Sequence, residues 1–226
     1  MKTKTNIYLI AMTVMSLFIA VIFLTGCGKS DKEVKMLSGE KSGETNKGSQ
    51  VLKLDTTLST VNWLGKKVTG EHDGTIKISK GEINIDKENL VGGSFVIDMN
   101  TIVNRDLDDA EWNAKLIKHL KSEDFFSVEK FPTSKFEITK VEPLNDPAKP
   151  NFNNTISGNL TIKGISKGIS FPASIKIVDG VLNSFADFDI DRTEWDIKYG
   201  SGKFFENLFD KMINTKLNIK FKKVAK

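Results

Sequence analysis

From residue 51 onward, apolar and polar residues alternate in short runs, the pattern of strands that turn one face inward. Stretches 51–54 and 60–68 read as extended. Ile76 and Ile78, then Ile83 and Ile85, mark strands at 75–79 and 82–86, with Lys80 and Gly81 between them as a hairpin turn. A strand at 94–99 follows Gly92 and Gly93, a pair suited to a bulge or a bend. Further strands are expected at 135–141, 155–163, 169–178, 181–191 and 216–224. Asp179-Gly180 is a strong two-residue turn, and residues 144–154, bordered and interrupted by Pro143, Pro147 and Pro150, form a loop.

The period changes between residues 114 and 136. Leu116, Ile117 and Leu120 fall on one helical face while Lys115, Lys118 and Lys121 point elsewhere. Phe125 and Phe126 follow, and Pro132 returns the chain to extended geometry. A second short helix is expected at 200–212, carrying Phe204, Phe205, Leu208 and Phe209. Strands with one apolar face suit either a closed antiparallel barrel or a two-sheet sandwich, and alternation alone does not separate them. Closure would remove exposed strand edges.

The first fifty residues follow other rules. Lys2 and Lys4 precede an apolar run at 7–24, then Leu24-Thr25-Gly26-Cys27, so residues 1–27 read as a lipoprotein signal peptide with Cys27 in the lipobox. Lipidation of Cys27 would hold the mature protein on a membrane, since two or more acyl chains anchor firmly. Cys27 is the chain's single cysteine, which leaves no thiol for a disulfide. Residues 28–50, rich in Gly, Ser, Lys and Glu, read as a flexible tether, and 51–226 as the folded domain. The expected location is outside the cytoplasm on a bacterial membrane, either facing the periplasm or exposed at the surface. Gly28 stands where inner-membrane lipoproteins commonly carry Asp, which favours the outer membrane or the cell surface.

Charge narrows the partners. Removing Lys2 and Lys4 with the leader takes the formal charge from +4 to +2, too weak for a nucleic-acid surface. Two histidines, His72 and His119, are too few for an ordinary zinc site, and neither metal nor catalytic residues are assigned. Asp106, Asp108, Asp109 and Glu111 do not match a calcium loop, because Glu111 occupies the position that needs Gly. Asp187, Asp189 and Asp191 alternate with Phe188 and Ile190, as on a strand with a wet and a dry face. Arginine occurs only at 105 and 192. Arg192, beside Asp191 and near Trp195, is either an ion-paired structural residue or a head-group contact. Fifteen phenylalanines against two tyrosines supply much ring area with few hydroxyls to satisfy.

The run His119-Leu120-Lys121-Ser122, then Asp124-Phe125-Phe126, Val128, Phe131-Pro132 and Phe136 resembles the signature of the YceI family. Trp63-Leu64-Gly65, Gly70-Glu71-His72-Asp73-Gly74, the run from Gly92 to Met99, the run from Gly158 to Gly164 and the run from Phe188 to Trp195 follow the same order. The resemblance covers roughly residues 52–224 and implies a mostly β fold: a lipocalin-like antiparallel barrel of about eight strands, with one or two short inserted helices. It implies an elongated apolar cavity and a non-enzymatic protein that binds a polyisoprenoid or similar amphiphile, a quinone included. On that reading Trp63, Phe95, Phe136, Phe188, Trp195 and Tyr199 belong to the wall or rim, with Arg192 at the head group. The alternative is a structural or interaction lipoprotein with a filled barrel and no small-molecule ligand. An enzyme acting on a bound lipid through His72 or His119 is a third expectation.

Overall fold

The structure, a computed structural model, describes residues 32–39, 50–67, 70–199 and 209–222. Among them are ten strands: β1 (Lys35–Leu37), β2 (Gln50–Leu54), β3 (Thr60–Lys67), β4 (Gly70–Asp86), β5 (Asn89–Asn104), β6 (Thr133–Pro143), β7 (Asn154–Ile162), β8 (Ile165–Val178), β9 (Val181–Asp191) and β10 (Phe209–Lys222). One α-helix, α1 (Ala110–Lys121), lies between β5 and β6. Each strand from β4 to β10 pairs antiparallel with the next, and β2 and β3 both bridge β10 to β4. Counting β2 and β3 as one interrupted stave, eight staves close into an antiparallel barrel. The inward faces meet in a single core that includes Leu52, Ile78, Ile83, Phe136, Ile169 and Phe188.

Lys80 and Gly81 do not turn. They lie inside the 17-residue β4, where the register with β5 shifts between Ile78 and Lys80. That bulge changes which parity faces inward, so Ile78 and Ile83 are both buried although they differ in parity. A side chain at 81 would place its Cβ 2.8 Å from that of Phe95, which explains a glycine in mid-strand. The hairpin instead turns at Lys87, whose φ is 58°. Gly92 and Gly93 do sit beside a register shift, between Asn84 and Ile85 on the partner strand. Asp179 and Gly180 adopt φ of 51° and 74°, as their turn requires.

Helix α1 begins six residues before Leu116, the first residue of the apolar stripe that announced it, because Asp109 caps it by accepting from the Trp112 N–H at 2.9 Å. Of the second helix expected at 200–212, residues 200–208 lie outside the described residues, and Phe209 to Met212 open β10 instead.

Residues 32–39, expected within a solvated tether, take part in the sheet. β1 pairs antiparallel with β8, Lys35 opposite Ser170 and Leu37 opposite Gly168. The Val34 N–H donates to the Asp189 carbonyl at 3.0 Å, and the Asp189 N–H donates to the Lys32 carbonyl at 2.8 Å. β8 and β9 pair directly only from Ala173 to Val178 and from Val181 to Ala186. β1 and the residues before it therefore fill the seam where those two strands separate. Val34, 4% exposed, is the apolar contact that compensates for ordering the segment. Asp187 and Asp189 are consequently half-buried: Lys32 Nζ lies 2.8 Å from Asp187, and Asn214 Nδ2 donates to Asp189 at 2.7 Å.

Candidate functional site

The barrel interior is filled at one end and hollow at the other. Phe95, Phe136, Phe171 and Phe188 form a continuous belt, with successive centroids 5.5, 5.6 and 4.2 Å apart. Gly158 on β7 makes room for it, since a Cβ there would come 2.5 Å from the Phe136 ring. Beyond the belt, toward the β4–β5 hairpin, only about 30 Å³ remains among side chains such as Ile83, Leu90 and Leu182.

On the other side of the belt lie two chambers in series. The inner one, about 80 Å³, is bounded by the belt and by aliphatic residues including Ile97, Met99, Ile169 and Ile190. The outer one, about 570 Å³, is bounded by Ile102, Leu116, Leu120, Phe125 and Tyr199. Trp63, Ile76, Phe126, Arg192 and Ile213 border both and form the neck between them. The outer volume alone falls within the range of about 300–1,000 Å³ usual for small-molecule sites. Helix α1 turns Leu116 and Leu120 into the chamber, while the segment after it adds Phe125 and Phe126.

The polar groups gather at the outer chamber. His72 Nδ1 lies 2.7 Å from Asp106 Oδ2, and the Asp73 N–H donates to Asp106 Oδ1 at 2.8 Å. Asn104 Nδ2 donates to the same carboxylate. Partial burial pushes the Asp106 carboxyl upward, but these hydrogen bonds and the nearby His72 outweigh it and hold the group below the ordinary carboxylate range. His119 packs edge-on against Tyr199, centroids 4.5 Å apart. Trp112, 62% exposed, stands on the rim with Lys115 Nζ 4.5 Å above its ring.

Arg192 is the buried cation of the neck, 3% exposed. It opens the single 3₁₀ turn after β9, where the Asp191 side chain accepts from the Thr193 N–H at 3.0 Å. Its Nη1 donates to the Ile197 carbonyl at 2.9 Å, and its guanidinium lies 5.3 Å from the Phe125 ring centroid.

Of the residues singled out from sequence, the structure places Trp63 and Arg192 at the neck, Phe95, Phe136 and Phe188 around the inner chamber, and Tyr199 at the outer one. Trp195 borders neither chamber. Its ring is fully buried and its indole N–H donates to the Leu160 carbonyl at 3.0 Å, so it ties the 3₁₀ turn to β7. Cys27 lies outside the described residues. Phe126, in the inserted segment whose rings could close the interior, does line the neck, whereas alternation does not distinguish Ile76 and Ile213, because inward aliphatic residues look alike in sequence wherever they sit along the barrel axis.

The model of the YceI-like domain family matches residues 52–225. The chain belongs to the YceI family. It is 34% identical over 95 residues to a UPF0312 protein of Pseudomonas aeruginosa, covering 42% of this chain and 44% of that one. It is 31% identical over 105 residues to Protein YceI of Salmonella newport, covering 46% of each. The matched stretch thus spans less than half the length of these curated relatives. Among solved YceI-type folds, Burkholderia cenocepacia BcnA aligns at TM-score 0.59 with 19% identity, over 74% of this chain and 98% of that one. A polyisoprenoid binding domain from Saccharophagus degradans aligns at TM-score 0.53 with 13% identity, over 76% and 98%. These likenesses establish the barrel fold.

Proposed function

We propose that this YceI-family protein is a non-enzymatic carrier that holds a polyisoprenoid or similar amphiphilic lipid in its two chambers, on a membrane to which an acylated Cys27 anchors it. The observation that carries the reading is the pair of adjoining, mostly apolar chambers that share the residues of the neck, one of them about 570 Å³, ending at a phenylalanine belt. The polyisoprenoid-binding domain of Saccharophagus degradans, built on the same fold, supports the choice of lipid.

Burial in such a chamber stabilises a prenyl chain by about 0.8 kcal/mol per CH₂ relative to water. Relative to a bilayer the gain is close to zero, because the chain is already out of water there. Selectivity therefore rests on chamber shape and on the polar groups of the neck and rim. Retention by acylation would keep the domain close to its lipid supply; outer-membrane or surface placement is part of the same proposal. The belt sets the depth to which a guest can reach.

Organic extraction and mass spectrometry of the purified protein, followed by reloading with a prenyl lipid, test the cargo. Protein that is consistently lipid-free and takes up no prenyl lipid overturns it. Fractionation of cells expressing wild type and Cys27→Ala tests the anchor, with release of the variant into the soluble exported fraction as the expected result.

A further inference from the structure

The outer chamber sorts charge. Lys66, His72, Lys115, His119 and Arg192 border it, and among the described residues no Asp or Glu borders either chamber. The whole chain carries 29 acidic residues against 33 lysines and arginines, so its composition does not dictate a wall of one sign. The fold leaves the matching carboxylates outside the lining. Asp106 Oδ2 lies 2.7 Å from His72 Nδ1, Glu111 lies 2.6 Å from Lys115, and Glu71 lies 4.0 Å from Lys66.

These side chains can turn to a guest. Both lysine pairs are exposed, and such pairs add little in water, so either ammonium can swing on its long stem toward the chamber. With Nδ1 on Asp106, His72 has Nε2 left to meet a guest, and its side chain is 21% exposed. Arg192 adds a permanent positive charge at the neck. Filling the chamber strips water from these groups. A neutral head group returns no counter-charge for that loss, which is costly in a mostly apolar enclosure, whereas an anion replaces the lost hydration with charge-assisted hydrogen bonds. The inner chamber has Arg192 as its one charged neighbour among the described residues, so it suits the tail.

We propose that the cargo is an anionic amphiphile, with a carboxylate or phosphate-ester head group held in the outer chamber by Lys66, His72, Lys115 and Arg192 and its tail directed through the neck. This rests on the lipid-carrier reading and narrows it: of two lipids with the same tail, the negatively charged one is the better guest. Since the tail gains almost nothing over a bilayer, the head-group charge carries much of the discrimination.

The test uses the full-length protein in a non-ionic detergent, with partition into protein-free micelles subtracted, and four probes on one farnesyl tail: phosphate, carboxylate, alcohol and amine. Wild type should bind the phosphate or the carboxylate about tenfold tighter than the alcohol, and the amine most weakly. Whichever anion binds tighter identifies the head-group class. Lys66→Gln/His72→Gln/Lys115→Gln should bring the anions to within about threefold of the alcohol while the alcohol binds as before. Lys66→Gln/Lys115→Gln, confined to exposed side chains, should already cut the preference about threefold, which keeps the result readable if the triple variant folds poorly. An alcohol or amine that matches both anions in wild type, or an anion preference that survives these substitutions undiminished, overturns the inference while the carrier reading stands. Failure of all four probes to bind wild type overturns both.

Discussion

Phe171 and Phe188 stack with centroids 4.2 Å apart and planes 20° from parallel, one turn of the pleat beyond Ala173 and Ala186, where direct pairing of β8 with β9 ends. The rings hold the two strands together on the inside of the seam. On the outside, the backbone groups that β8 and β9 no longer offer each other are taken up by residues 32–37.

The seam segment contributes stability. Val34→Ala removes two buried methyl groups and is expected to cost roughly 1–2 kcal/mol, read as a lower urea midpoint at unchanged m-value. Deleting residues 28–39 should leave the Asp189 amide without its acceptor, so hydrogen exchange at Asp189 should accelerate strongly while the amide of Ile175, bonded to Asn153, changes little.

The belt depends on Gly158. Gly158→Ala forces a methyl group against the Phe136 ring and the Glu137 carbonyl. The expected destabilisation is about 1–3 kcal/mol, seen as a fall in Tm. A gain in Tm would mean that the belt has slack.

The neck controls access to the inner chamber. Ile213 is half-buried and borders both chambers, so Ile213→Trp should obstruct the passage without inserting bulk into the closed end. Retained prenyl lipid, measured by extraction, is expected to fall roughly tenfold, equivalent to about 1.4 kcal/mol. Circular dichroism should remain that of the wild type.

Acid sensitivity should trace partly to Asp106. Its carboxyl in the fold lies below its ordinary value of 3.8, so the ionised form is favoured on folding. The resulting stabilisation is fully present well above 3.8 and is lost as pH falls through that value to the depressed one. Urea midpoints measured between about pH 2 and 6 should fall less steeply for Asp106→Asn than for wild type. Equal slopes would show that the His72, Asp73 and Asn104 contacts contribute nothing to the titration.

Arg192 holds the end of β9. Arg192→Met keeps most of the side-chain volume but leaves the Ile197 carbonyl without this donor. The expected loss is about 1–3 kcal/mol, measured by chemical unfolding.

Much of this architecture was written in local pattern. Alternation located nearly every stave, Asp179-Gly180 named its hairpin, and the blocks around Trp63, His72, Gly92, Phe125 and Trp195 identified the family and with it the barrel. These features depend on residues a few positions apart, and backbone geometry acts at that range. The Lys80-Gly81 reading failed for the same reason: a change of apolar parity looks identical whether the chain turns back or takes in a bulge, and only the partner strand β5 distinguishes them.

What the sequence by itself determined is which residues face inward and that the sheet they line is of the YceI kind. Where those residues sit along the barrel axis was decided by tertiary structure. Phe95 and Phe136 close one end, Ile76 and Ile213 frame a neck, and Trp195, equally apolar, lies apart from both chambers. The weakly apolar stretch around Val34 became part of the wall because a gap between two distant strands offered it hydrogen bonds. Facing inward is set by the two-residue period of one strand, but meeting or missing a neighbour in the lumen depends on stagger and curvature summed over all eight staves.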